Sequence, residues 1–175
     1  MKLTSIVTAV TVAVLGMASL AVLPGAGNAA EPHNTAFLGV HFQNDNEMYE
    51  PTSEAERSRI EKIGQIFTAK LTESTKYRFA EVSPELKARI AAGQAPGECG
   101  GCEVDYGKEI GTEWVAWINV QKVSNLILNM NVYIADVHAN KMVFVRSVDI
   151  RNNSDEGWER AINYLLKNYL LPGVS

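Results

Sequence analysis

Two sets of residues in this chain have types and spacing that could do chemistry. The first is Cys99 and Cys102, the only cysteines among 175 residues. They are separated by Gly100-Gly101 and stand at the start of a short helix expected from Cys102 to Ile110. In an exported protein they are oxidised, and with no third thiol they pair with each other. Three uses remain open. One is a disulfide that closes a glycine-rich loop. Another is a thiol-redox pair, since a helix N-terminus would stabilise a thiolate. The third is half of a metal site, although no second Cys pair or nearby His completes four ligands. Covalent haem attachment is excluded because residue 103 is Glu.

The second set is a row of amides and aromatics: Trp117, Asn119, Gln121, Asn129, Asn131 and Tyr133. Amides beside aromatic rings can hydrogen-bond and stack on a ligand or a partner; equally, they can form a wet sheet face. The remaining candidates are weaker. Glu31, Asp45, Glu47, Glu50, Glu54 and Glu56 are acidic but lack the ligand spacing of a calcium loop. A solvated loop leading into a helix N-terminus accounts for them. His33, His41 and His138 fall in a tail, a strand and a turn, and nothing gathers them with a nucleophile. No catalytic residue, metal or cofactor is expected.

The elements that carry these residues can be read in order. Lys2, an apolar run from Ile6 to Leu23, Pro24-Gly25 and a small-residue tail form a signal peptide over residues 1–30. Cleavage is expected after Ala29 or Ala30. Residues 31–175 are then one domain of ordinary size. Lys2 is the one basic residue of the first 30, out of 16, and all 20 acids follow, so the exported part carries a net −5. That charge argues against nucleic acid or an anionic membrane as partner. With the signal removed, no stable membrane anchor is expected.

Ala36–Gln43 reads as a strand. Ser53 with Glu56 is a capping box that opens a helix with Ile60, Ile63, Gly64, Phe67 and Leu71 on its buried stripe. Tyr77–Val82 is a second strand, and Ser83-Pro84 starts a short helix. Glu113–Val123 is apolar on both faces at its start, as a central strand would be. Leu126, Leu128, Met130, Val132 and Ile134 alternate with the amides on a fourth strand. A turn over residues 136–141, with Asn140 at positive φ, leads to the fifth strand, Met142–Ile150. That strand needs a bulge near Arg146 or Ser147 to regularise its pattern. From Asp155, Trp158, Ala161, Ile162, Leu165, Leu166 and Tyr169 share one helical stripe.

This order gives a three-layer α/β/α sandwich around a mixed five-stranded sheet whose fourth strand runs against its neighbours. A tight turn at residues 123–125 would set Asn119 opposite Asn129 and Trp117 opposite Asn131. The C-terminal helix should cover the Leu126–Ile134 face. That leaves Asn129, Asn131 and Tyr133 accessible in part.

The segment VQKVSNLILNMNVYIADVHANKMVFVRSVDIRNNSDEGW, with CGGCEVDYGKEIGTEWVAWINVQKV before it, resembles a family of bacterial predicted secreted proteins of unknown function. More distantly it is similar to the TolB amino-terminal domain and the curli-secretion lipoprotein. The resemblance implies an anticodon-binding-like fold with strand order 2-1-3-4-5. It also implies a periplasmic accessory or binding module whose partner is another periplasmic protein. Some relatives lie beside periplasmic quinoprotein alcohol-oxidation systems, which would make the cysteine pair an electron-transfer or thiol-redox accessory there. A carrier of small polar ligands is the third reading. The resemblance brings no catalytic residue with it.

Overall fold

The structure is a computed structural model, described here over residues 31–172. The expected signal peptide lies outside the described residues. Five strands form one sheet: β1 (His33–Asn44), β2 (Tyr77–Ala80), β3 (Trp114–Ser124), β4 (Ile127–Asp136) and β5 (Lys141–Ile150). Their order across the sheet is β2-β1-β3-β4-β5. β1 runs parallel to both β2 and β3, and β4 is antiparallel to β3 and β5. Parallel neighbours need crossover connections and antiparallel ones need only hairpins. The sequence supplies helices before β2 and β3, and turns before β4 and β5.

Four α-helices, α1 (Glu54–Glu73), α2 (Pro84–Ala92), α3 (Cys102–Ile110) and α4 (Asp155–Leu165), cover the two faces. α1 and α4 bury Ile63, Phe67, Leu71, Trp158, Ile162 and Leu165 against the sheet face of Ile118, Val120, Met130 and Val132. α2 and α3 bury Leu86, Ile90 and Val104 against the other face, on Ala36, Leu38, Val115 and Ala135. The middle layer is therefore buried on both sides along β3, where Val115 to Ile118 are all inaccessible. α1 starts with both halves of its capping box: Ser53 Oγ accepts from Glu56 N (3.2 Å), and Ser53 N donates to Glu56 Oε2 (2.7 Å).

Four expectations need correction. The β3–β4 register is shifted by two residues: Asn119 faces Asn131, Gln121 faces Asn129, and Trp117 faces Tyr133. The turn sits one residue later than expected because Ser124 Oγ accepts from the backbone N–H groups of Leu126 and Ile127. A shift of two keeps every residue on its expected face, but it places Leu126 in the turn, 77 % exposed rather than in the core. The β5 irregularity lies at Val143, since Ile134 pairs with Phe144 and Ala135 with Met142. Finally, the C-terminal helix ends in a wide turn of π type over Leu166–Leu170. That turn rotates Tyr169 off the buried stripe to pack edge-on against Tyr164.

Candidate functional site: a polar cleft under the disulfide loop

The sheet face that carries α2 and α3 is uncovered toward the C-terminal end of β1 and the hairpin end of β3. The register there stacks polar residues into cross-strand rungs. His41, Asn119, Asn131 and Ser147 form one rung, and Gln43, Gln121, Asn129 and Asp149 the next. The rung before them holds Trp117 and Tyr133, whose rings stack at 5.0 Å and 10°. The loop after α2 forms a wall beside these rungs, through Gly93, Ala95 and Glu98. Together they enclose an open cleft of about 560 Å³.

The loop is held down from two directions. Cys99 and Cys102 form a disulfide with their Cα atoms 5.6 Å apart, and the Asn119 amide nitrogen donates to the Pro96 carbonyl (3.3 Å). Gly97 lies on the Trp117 ring, where a Cβ would come within 3.3 Å of the indole nitrogen, and its φ of +89° suits glycine. This seat corrects one expectation: Trp117 does not flank an open face but is fully buried beneath the loop. Asn119, Gln121, Asn129, Asn131 and Tyr133 are half-buried. The two sets singled out in the sequence are therefore parts of one place, with the disulfide loop closing one side of the amide row.

Within the cleft, buried polar atoms lack partners. His41 Nε2 and Asn119 Oδ1 receive or give no hydrogen bond, and neither does Trp117 Nε1 under the loop. Leaving such atoms unpaired costs about 1–3 kcal/mol each. Burial pushes the His41 imidazole below its ordinary value, and the Glu98 carboxylate draws it partly back. Burial raises the Tyr133 phenol, and Glu98 adds to the effect. Glu98 lines the cleft together with His41 and Tyr133.

His41, Gln43 and Glu98 were missed as site residues in the sequence. The other sequence candidates have structural partners. The Glu103 carboxylate, buried at the start of α3, accepts from Gly97 N (3.2 Å) and touches Cys99 Sγ (3.3 Å). Cys99, Cys102 and Glu103 are the one metal-compatible cluster among the described residues, and the disulfide occupies both its sulfurs. The acidic loop is internally bonded: Glu47 accepts from Thr52 and Asn44, and Asp45 from Gln43 and Gln121. Glu50 and Glu56 hold the ammonium of Lys122, which is 1 % exposed, at 3.1 and 2.8 Å. His33 is not in a tail but opens β1, stacked on Trp114 at 3.6 Å.

A mixed five-stranded sheet in this order, with helices on both faces and a polar cleft at one end, defines a small α/β module. The chain belongs to the family DUF3280, described as "Protein of unknown function (DUF2380)", which matches residues 33–170. Lipoprotein GNA1162 from Neisseria meningitidis is similar in structure, with a TM-score of 0.52 at 13 % identity over 82 % of this chain and 100 % of that one. The LpoB C-terminal domain from Salmonella enterica gives 0.47 at 11 % identity over 73 % of this chain and 88 % of that one. TolB from Acinetobacter baumannii gives 0.42 at 14 % identity over 77 % of this chain and 28 % of that one. The GNA1162 likeness bears on the fold alone. A comparison with curated proteins finds no match. Among the described residues, no helix is long and apolar enough to cross a membrane.

Proposed function

We propose that this protein is an exported, non-catalytic accessory module that binds a small polar ligand in the cleft beside the disulfide loop. One observation carries the reading. His41 Nε2 and Asn119 Oδ1 are buried without partners at neighbouring positions on one rung. A protein interior rarely tolerates such atoms unless something else completes them. The export half rests on the signal-type residues 1–30 and on a disulfide, which persists in oxidising compartments. The fold shared with a lipoprotein is in keeping with it.

A two-dimensional NMR screen of the purified exported protein against polar fragments of all charge classes tests the cleft. The expected result is saturable shifts confined to residues of β1, β3, β4 and the 93–101 loop. A screen in which no class of fragment perturbs them would defeat the reading. Intact-mass measurement of periplasmic protein tests export, with a start at Ala30 or Glu31 expected.

A thiol-redox role is the second reading, favoured by the buried Glu103 carboxylate beside Cys99 Sγ and by Cys102 opening α3. In it a dithiol partner would pass two electrons and two protons to the disulfide, becoming a disulfide itself. A reduction potential close to those of periplasmic thiol oxidants supports this role, and one below about −300 mV marks the bond as structural.

A further inference from the structure

The hydrogen bonds around the cleft all run in one direction. Asn119 Nδ2 donates to the Pro96 carbonyl, and Gln43 Nε2 and Gln121 Nε2 donate to the two oxygens of Asp45. A carbonyl and a carboxylate only accept, so these three amides have their orientation forced. Asn131 Nδ2 donates to Asn129 Oδ1, an amide partner that does not by itself fix the direction of the bond. Four amides that line the cleft thus use nitrogen inside the protein, and their oxygens have no protein donor among the described residues. Glu98 adds a carboxylate at the Tyr133 end, and Asp45 stands beyond Gln43 and Gln121 at the other. No Lys or Arg lines the cleft.

From this polarity we infer that the cleft takes a small aliphatic amine in its ammonium form, and a diamine better than a monoamine. An ammonium group has only N–H donors, and it would meet carbonyl oxygens, a carboxylate and the Tyr133 ring, which attracts cations through its face. Asn119 Oδ1, buried and unpaired, is the acceptor most in need of that donor. An anion would be repelled by Glu98 and would find no cationic side chain in the lining, which contains no Lys or Arg. The second acid gives a second ammonium group its counter-charge. This inference rests on the cleft being a binding site and adds the chemistry of its occupant.

Titration calorimetry and NMR of the exported protein near neutral pH, with isosteric probes, test the proposal. The probes are 1,4-diaminobutane, 1-aminobutane, 1,4-butanediol, succinate and calcium chloride. The diamine should bind saturably, shift the side-chain amide signals of Asn119 and Asn131, and bind at least threefold more tightly than the monoamine. Butanediol, succinate and calcium should bind at least tenfold more weakly or not at all. Glu98→Gln, at an exposed position, should weaken the diamine at least tenfold with the fold intact by circular dichroism, and Asn119→Leu should do the same. Equal binding of butanediol, succinate or calcium at these residues would overturn the amine assignment while leaving the cleft as a site. A diamine that binds no better than the monoamine, or full affinity in Glu98→Gln, would also overturn it. Silence from every probe overturns it too, and the broader fragment screen then decides separately whether the cleft binds anything.

Discussion

The Asn119 side chain donates to the Pro96 carbonyl across 3.3 Å, and this bond ties the amide row of the sheet to the loop closed by Cys99 and Cys102. The disulfide spans three residues in sequence, so it removes little entropy from the unfolded chain. The double variant Cys99→Ser with Cys102→Ser should fold and lose about 1–2 kcal/mol, below the usual range for longer loops. Urea unfolding measures that. Because Pro96 and Gly97 seat the loop, the same variant should show a shifted Asn119 side-chain amide signal and a weaker cleft. An unchanged Asn119 signal would mean that the loop holds itself without the disulfide.

Gly97→Ala tests the seat from the other side. A side chain at φ +89° costs about 1–2 kcal/mol, and the new Cβ would press on the Trp117 indole at 3.3 Å. Loss of stability together with a shifted Trp117 indole N–H signal is expected. A variant as stable as the parent, with that signal unmoved, would show that the loop does not rest on the ring.

The fold could be read from the sequence because its signals are local. Capping residues, the alternation along β4 from Leu128 to Ile134 and the hairpin at Asn140, which has φ +49°, lie where expected. The cleft could be read only in part. Alternation placed Asn119, Gln121, Asn129 and Asn131 on one face. His41 escaped because β1 carries an irregularity between Phe37 and Val40, where Gly39 has φ +106°. The irregularity reverses the parity of the strand, so His41 and Gln43 join the face of Ala36 and Leu38 instead of the opposite one. Glu98 reaches the site through a loop whose path depends on Trp117. Lys122 did leave a signal, as a charge ending the apolar row Ala116, Ile118, Val120. Its partner Glu56 is 66 residues away, and spacing along the chain cannot pair them.

Asn129 and Asn131 separate binding from stability. Asn131 lines the cleft, while Asn129 is bonded to it from the next rung. Each Ala variant should stay within about 0.5 kcal/mol of the parent, as partly exposed sites do. Asn131→Ala should weaken the ligand more than Asn129→Ala. Tyr133→Ala should cost more in both respects, because its ring stacks on Trp117 and an aromatic pair adds about 0.5–1.5 kcal/mol beyond area. Equal affinities in the two Asn variants would remove Asn131 from the site.

The buried pair of Lys122 and Glu56 governs stability on the opposite face, and its pH dependence has a definite sign. Burial alone would raise the Glu56 carboxyl, but hydrogen bonds from Lys122, Ser53 and Asn153 hold it at about 2. A depressed folded value means that the contribution is complete above the ordinary value of 4.5 and is lost as pH falls toward 2. Burial would likewise lower the Lys122 ammonium, yet Glu56 and Glu50 raise it above 10.5, so its contribution holds below that value and fades at higher pH. Lys122→Met keeps the length and removes the charge, leaving Glu56 buried without its cation. That should cost about 3–5 kcal/mol near neutral pH. Acidification from pH 5 to 3, which destabilises the parent, should destabilise this variant less, because its Glu56 protonates more readily. Adding Glu56→Gln to Lys122→Met should return part of the loss, since an apolar and neutral pair no longer buries a bare charge. Urea unfolding of the four proteins at pH 3, 5 and 7 closes the cycle. A single variant no less stable than the parent at pH 7 would show that the pair does not hold α1 to the sheet.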